Sequence, residues 1–216
     1  MLPNMKGLIL ALDMTSAEKG ISVFQKVCSY IEAVKVNYPI VLSAGTKIIK
    51  TLSEKKYVLC DFKIADIPNT SRLIAEIAFE NGASGVIAHA FTGRDSLKAV
   101  KDVAEKYGGE VFVVVEMSHP GGAEFTAKHA EEFAYLAKEA GARGVIAPAT
   151  RPERIKKIRE IIGEEMLILS PGVGTQGGEL KKTISAGANY IIVGRSIYEA
   201  EKPDEIAKEM RAAIST

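Results

Sequence analysis

Asp61, Lys63 and Asp66 fall within the single stretch Asp61-Phe62-Lys63-Ile64-Ala65-Asp66, followed by Ile67-Pro68-Asn69-Thr70. The preceding Tyr57-Val58-Leu59-Cys60 reads as a buried parallel strand, so the charges arise where that strand emerges. Side chains alternate faces along an extended chain, which turns Asp61 and Lys63 the same way. Two carboxylates bracketing an ammonium are costly to desolvate unless they neutralise one another. An ammonium held in this way is a positive donor fixed before any charge develops on a reacting partner. The bland counterpart is a salt bridge that closes a strand end, because structural ion pairs also gather charge.

Other chemically capable residues recur along the chain. Asp13 ends one apolar run, Lys35 lies near the end of the next, and Ser118 and His119 follow a later one. Ser170-Pro171-Gly172-Val173-Gly174-Thr175-Gln176-Gly177-Gly178 is glycine-rich, so its amides can approach an anion closely. Val193-Gly194-Arg195-Ser196 adds a guanidinium, which grips phosphate through two parallel hydrogen bonds. Neither stretch is a Walker loop, since no lysine follows the glycines, and Gly172-x-Gly174 is not a full dinucleotide fingerprint. His89 and His119 lack a His-x-His partner or a cysteine cluster, so no metal site is predicted. Ser118 and His119 are adjacent and would point apart in a strand, which argues against a Ser-His nucleophile. The charges of Glu153–Glu165 and Glu199–Arg211 read as solvated helix faces.

The elements that must position these groups are repeated. Apolar runs occur at Leu8–Asp13, Ala33–Asn37, Tyr57–Lys63, Gly85–Ala90, Val111–Met117, Gly144–Ala149, Leu167–Ser170 and Tyr190–Val193, each followed by a helix-like stretch. Asn81-Gly82-Ala83, Ala140-Gly141-Ala142 and Ala186-Gly187-Ala188 repeat the signature of a helix end leading into a strand. Eight βα units in 216 residues predict an α/β fold, a (β/α)8 TIM barrel in one domain spanning 1–216. The polar residues above then gather at the carboxyl ends of the strands, where barrel enzymes build their sites. The amino-terminal joints read as glycine, alanine and ordinary surface residues. The last two loops form the usual phosphate cradle of such a barrel, and the seventh has the glycines to close as a lid.

Composition narrows the partners. The formal net charge is +1 without a long charged block, which gives no support for nucleic acid or a membrane surface. Cys28 and Cys60 sit in apolar contexts and read as reduced thiols. Leu8–Leu12 is too short to span a membrane and lacks a signal-like cleavage site. A cytoplasmic protein is expected.

Taken in order, these motifs closely resemble the orotidine 5′-monophosphate decarboxylase family in its short archaeal form. The resemblance runs through Leu10-Ala11-Leu12-Asp13, Val34-Lys35-Val36, Asp61 to Thr70, Met117-Ser118-His119-Pro120-Gly121, Ser170 to Gly178 and Ile192-Val193-Gly194-Arg195-Ser196. It implies conversion of OMP to UMP in pyrimidine biosynthesis, with neither metal nor cofactor. Lys63 matches the lysine that stabilises charge at pyrimidine C6 and then protonates it. Asp61 matches the carboxylate beside the leaving carboxylate, and Lys35 and Asp66 complete the charged array. Asp13 and Thr70 match ribose contacts and Ser118 the pyrimidine contact. Pro171, Gly172, Val173, Gly174, Thr175 and Gln176 match the closing loop, and Gln176, Gly194 and Arg195 the phosphate site. Asp66 and Ile67 match positions lent across a homodimer. Neighbouring anions favour the charged lysine, which fits a proton donor rather than a Schiff-base amine. Asp-x-Lys-x-x-Asp also resembles Mg-dependent sugar-phosphate relatives, the 3-keto-L-gulonate 6-phosphate decarboxylase and hexulose-phosphate synthase types. The Ile67–Thr70 extension, Ser118-His119-Pro120 and the Gln176 loop favour OMP. A non-catalytic nucleotide-binding barrel would be expected to have lost a charged group, and here all are present.

Overall fold

Eight parallel strands close into a barrel in chain order. The computed structural model describes residues 1–174 and 177–215, so Thr175 and Gln176 lie outside the described residues. The strands are β1 (Gly7–Leu12), β2 (Ala33–Asn37), β3 (Tyr57–Ile64) and β4 (Gly85–His89), then β5 (Glu110–Val114), β6 (Gly144–Ile146), β7 (Leu167–Pro171) and β8 (Tyr190–Val193). Closure pairs Gly7 with Tyr190 and Ile9 with Ile192. The helices are α1 (Ala17–Val27), α2 (Tyr38–Ala44), α3 (Lys47–Ser53), α4 (Pro68–Glu80) and α5 (Arg94–Lys106). They continue with α6 (Ala130–Glu139), α7 (Pro152–Ile162), α8 (Gly177–Ser185), α9 (Arg195–Tyr198) and α10 (Pro203–Ser215). Pro68 and Pro152 open α4 and α7, where the missing N–H costs nothing. Gly82, Gly141 and Gly187 leave α4, α6 and α8 with φ of 94°, 67° and 113°.

Two apolar layers follow from period-two alternation along the strands. Outward residues such as Leu10, Val34, Cys60 and Val86 pack beneath the helices. Inward residues such as Ile9, Leu59, Phe112 and Leu169 fill the barrel. Strand pairing in the fifth and sixth runs stops at Val114 and Ile146, short of the expected Met117 and Ala149. Ala147 and Ala149 are buried nonetheless. Their N–H groups still donate to the Leu169 and Pro171 carbonyls of β7, so the apolar run follows the barrel wall beyond the regular ladder.

The amino-terminal end departs from expectation. It carries half-buried ion pairs, one of them built on the buried Glu110, and not only small and surface residues. Glu110 accepts the Leu2 N–H at 2.8 Å and lies 3.1 Å from the Arg143 guanidinium, which also donates to the Leu2 carbonyl. Glu32 accepts the Leu8 N–H at 2.6 Å and pairs with Arg211 at 2.8 Å. Leu2 seals this end, and the backbone groups buried with it need charged or polar partners. Among the described residues no helix is long and apolar enough to cross a membrane.

Close approach on the inner wall yields a test. A Cβ at Gly144 would fall inside the contact distance of the Leu167 carbonyl on the paired strand. That obstacle is backbone and cannot rotate away. Gly144→Ala is expected to cost about 2 kcal/mol, within the range for overpacking, as measured by denaturant unfolding. An unchanged midpoint would contradict this account of β6.

Candidate active site

At the carboxyl end the barrel opens into a cavity of about 780 Å³. Its floor is the last apolar layer, including Ile87, Val114, Ile146 and Ile192. Above it, the next inward positions of β1, β2 and β3 are charged. Lys35 donates to Asp13 Oδ1 at 2.9 Å and to Asp61 Oδ2 at 2.8 Å. Lys63 donates to both oxygens of Asp61, at 2.8 and 2.9 Å. The four side chains form one alternating chain, Asp13–Lys35–Asp61–Lys63.

Burial sets the stakes. Lys35 and Asp61 are almost inaccessible, whereas the Lys63 side chain remains 32% exposed toward the opening. Burial alone would lower the Lys35 pKa, but Asp61 and then Asp13 outweigh it and hold it above the ordinary value. Burial alone would raise the Asp61 pKa, but Lys35 and then Lys63 hold it below. Removing one member of such a buried pair costs about 3–5 kcal/mol, because the survivor keeps its charge without compensation.

Lys63 is held in an unusual backbone. Its φ is 42°, the only positive value at a non-glycine among the described residues. Between the pairs Cys60–Val86 and Ile64–Ala88, β3 runs four residues against two on β4. The extra length arches the strand end inward at Asp61 and Lys63. Strain of this kind costs on the order of 1–3 kcal/mol and persists where surrounding contacts impose it.

The other expected residues divide into three groups. Ser118, His119, Pro171, Gly172, Val173, Gly174, Gly194 and Arg195 line the cavity with the ion chain. Gly172, with φ of 97°, brings the seventh loop against Ser118 and Thr150. Ser118 and His119 lie beyond β5, so strand alternation does not orient them as expected, and both line the cavity. Asp66, Ile67 and Thr70 do not line it. Asp66 is exposed and accepts the Ile67 N–H at 2.7 Å, while Ile67 is 67% exposed. Thr175 and Gln176 lie outside the described residues.

Several residues had not been anticipated. Glu116 lines the cavity, is wholly buried, and binds Arg151 Nε at 2.6 Å and Arg154 Nε at 2.9 Å. Arg154 therefore does not belong to a solvated face, nor does buried Arg159, which donates to the carbonyls of Gly163, Met166 and Gly187. Glu116 was visible as the lone carboxylate two positions beyond Val114, on the inward register of β5. Asn37 and Tyr198 also line the cavity. His89 is buried at the end of β4, against Phe91, with no partner for Nδ1 among the described residues. Burial and then the Lys63 charge push its pKa down to about 4.

The fold and site define a (β/α)8 barrel with a charged pocket beneath a glycine- and arginine-bearing rim. The sequence matches the Orotidine 5'-phosphate decarboxylase / HUMPS family over residues 6–210, and the chain belongs to that family. It is 56% identical over 207 residues to the orotidine 5'-phosphate decarboxylase of Methanosarcina mazei, covering 96% of this chain and 94% of the relative. The enzyme of the same name from Methanococcoides burtonii is 56% identical over 203 residues, covering 94% of each. The crystal structure of orotidine 5'-monophosphate decarboxylase from Methanocaldococcus jannaschii complexed with the inhibitor BMP superposes with a TM-score of 0.92. That protein is 42% identical, and the match covers 98% of this chain and 100% of the other.

His89 supplies the pH test. A histidine held neutral in the fold but free to protonate when unfolded withdraws stability as pH falls from about 6.5. The loss continues down to its folded pKa of about 4. Between pH 7 and 4.5 the wild type should lose about 2.5 kcal/mol more than His89→Asn, read from urea unfolding at both pH values. Parallel stability profiles would show that His89 is not held neutral.

Proposed function

We propose that this protein is a carboxy-lyase that converts orotidine 5′-monophosphate to UMP in pyrimidine biosynthesis, with Lys63 as the proton donor. The observation that carries this reading is the state of Lys63 at the end of the ion chain. Of its three N–H bonds, two are directed to Asp61, which leaves a donor for the cavity. When the bond from C6 to the carboxylate breaks, CO2 departs and the electron pair stays at C6. A fixed ammonium stabilises that charge without reorganising, then transfers its proton to the carbon. Lysine regains the proton from solvent.

Asp61 serves mainly to aim Lys63. Its charge is already shared between two ammonium groups, so little of it remains to repel a substrate carboxylate. Preorganisation is therefore the larger contribution, and ground-state repulsion the smaller. Lys35 and Asp13 extend the array toward the ribose, and Ser118 faces the base. Gly172, Gly174, Gly194 and Arg195 are assigned to the phosphate, whose binding energy can be used remotely from the reacting carbon. The Mg-dependent alternative fits less well. Lys35 Nζ stands between Asp13 and Asp61 at hydrogen-bonding distance from both, in the space a divalent cation would share with those carboxylates.

The remaining assignments cross between subunits. Asp66 and Ile67 lie outside their own chain's cavity, and exposed apolar residues cluster on nearby elements, with Tyr38 and Leu42 on α2 and Leu73 and Ile77 on α4. Our reading is a homodimer in which Asp66 and Ile67 complete the partner's site.

Loss of OMP absorbance, followed with and without EDTA, tests the reaction. Turnover that persists in EDTA is expected, and abolition by EDTA would transfer the chain to the Mg-dependent relatives. Lys63→Ala should remove turnover with the fold intact. Residual activity within about tenfold of wild type, or roughly 1.4 kcal/mol of barrier, would sink the assignment.

The shared site predicts complementation. Lys63→Ala and Asp66→Ala proteins, each inactive, should regain activity on mixing under exchanging conditions. Each mixed dimer holds one intact site, so random pairing restores about a quarter of wild-type sites under two-fold symmetry. Mixed dimers recovered by tagged-subunit pull-down without any rise in activity would refute the shared site.

A further inference from the structure

The buried faces of α4 and α5 contain one conspicuous irregularity. Ser71 is accompanied on α4 by Ala75, Ala78 and Phe79, and Ser96 on α5 by Leu97, Val100, Val103 and Ala104. Each face thus carries a single hydroxyl, in the first turn of its helix, and both are almost wholly buried. Alanine would pack at either place without burying a polar atom. A hydroxyl costs free energy there unless it is hydrogen-bonded.

Both hydroxyls converge on one atom. Ser71 Oγ lies 2.9 Å and Ser96 Oγ 2.7 Å from the Asp66 carbonyl oxygen, and the two hydroxyls lie 2.8 Å from each other. Two protons serve three contacts, so at least one hydroxyl always donates to the carbonyl while the other donates to it or to its neighbour. The same peptide leads into Ile67, which is extended with φ −61° and ψ 156°, and then into Pro68. Proline fixes its own φ and restricts the residue before it. The Asp66 side chain also accepts the Ile67 N–H. An exposed carboxylate therefore sits on a backbone pinned from two separate helices.

We infer that Ser71 and Ser96 are positioning residues for the reaction, fixing the Asp66 main chain so that its carboxylate reaches the neighbouring active site in one pose. This inference rests on the reading that Asp66 completes that site. Its signature is a loss in turnover rather than in affinity, because neither serine lines the cavity and both act on the Asp66 main chain. The effect must also vanish once the Asp66 carboxylate is gone.

The test is a double-mutant cycle between Ser71→Ala/Ser96→Ala and Asp66→Asn, with kcat and KM for OMP measured on each folded dimer. The serine pair is expected to lower kcat at least about tenfold, with KM within about twofold of wild type. In the Asp66→Asn background the same pair should cost less than about twofold. Equal losses in both backgrounds, a rise in KM alone, or an unchanged kcat would each overturn the inference. Should the double variant not fold, Ser96→Cys keeps the volume with a weaker donor. It should then show a smaller kcat loss that disappears with Asp66→Asn, and a loss that persists overturns the proposal. Unchanged kcat in Asp66→Asn alone would instead defeat the reading of Asp66 itself.

Discussion

The ion chain Asp13–Lys35–Asp61–Lys63 is the constraint on which the rest of this structure depends. Neither Lys35 nor Asp61 could remain charged alone at this depth, because desolvating a single ammonium or carboxylate costs several kcal/mol. In alternation each inner group has two opposite partners, and the chain is neutral as a whole. The strands β1, β2 and β3 must therefore be adjacent, parallel and in the observed register. Ala11 lies opposite Lys35, and Asn37 opposite Asp61. A one-residue slip would turn the charges into the apolar layer beneath the helices. The site and the barrel are thus specified together.

The two ends of the barrel use ion pairs differently. At the amino end, Glu110 accepts the Leu2 N–H and Arg143 donates to the Leu2 carbonyl, while their facing atoms pair by charge without a hydrogen bond, and the result is a seal. At the carboxyl end, Lys63 keeps an uncommitted N–H and partial exposure, over a backbone in a rarely occupied conformation. Charge by itself does not mark the functional end. What sets Lys63 apart is that a spare, partly exposed donor coincides with stored backbone strain.

Much of this was legible in the sequence because it is local. Eight apolar runs identified the strands, glycine at three helix ends marked where the next strand began, and period-two alternation ordered their faces. The same alternation set Asp61 and Lys63 on one face, and the β3 arch preserves it, since Phe62 and Ile64 pack outward. What remained hidden depends on distant pairings. Arg154 looks like a member of a solvated helix until Glu116, more than thirty positions earlier, is placed beside it and Arg151. Glu110 and Arg143 meet at the sealed end for the same reason. Strand ends were overrun because the buried stretch at Ala147 and Ala149 is as apolar as the strands. The conformation of Lys63 left no trace at all, since lysine shows no preference for positive φ.

Resemblance to known decarboxylases reached farther than local patterning, for it named Asp66 and Ile67, which a single chain leaves outside its cavity. Their placement has a physical logic of its own. A carboxylate on the same chain, packed beside Asp61, would add a third negative charge to an array that holds two ammonium groups. Such a like-charge contact would oppose folding of the monomer. Lent by a second subunit, as proposed, that charge would enter only when association supplied the free energy to bring it there. The monomer would then fold around a neutral chain, and the excess negative charge would appear only in an assembled site. Lys63 stands at the end of that chain with a spare donor, so the added carboxylate would act on the group proposed to give up its proton. The same division of labour would account for the two buried serines, which leave the Asp66 side chain exposed while holding the backbone that carries it.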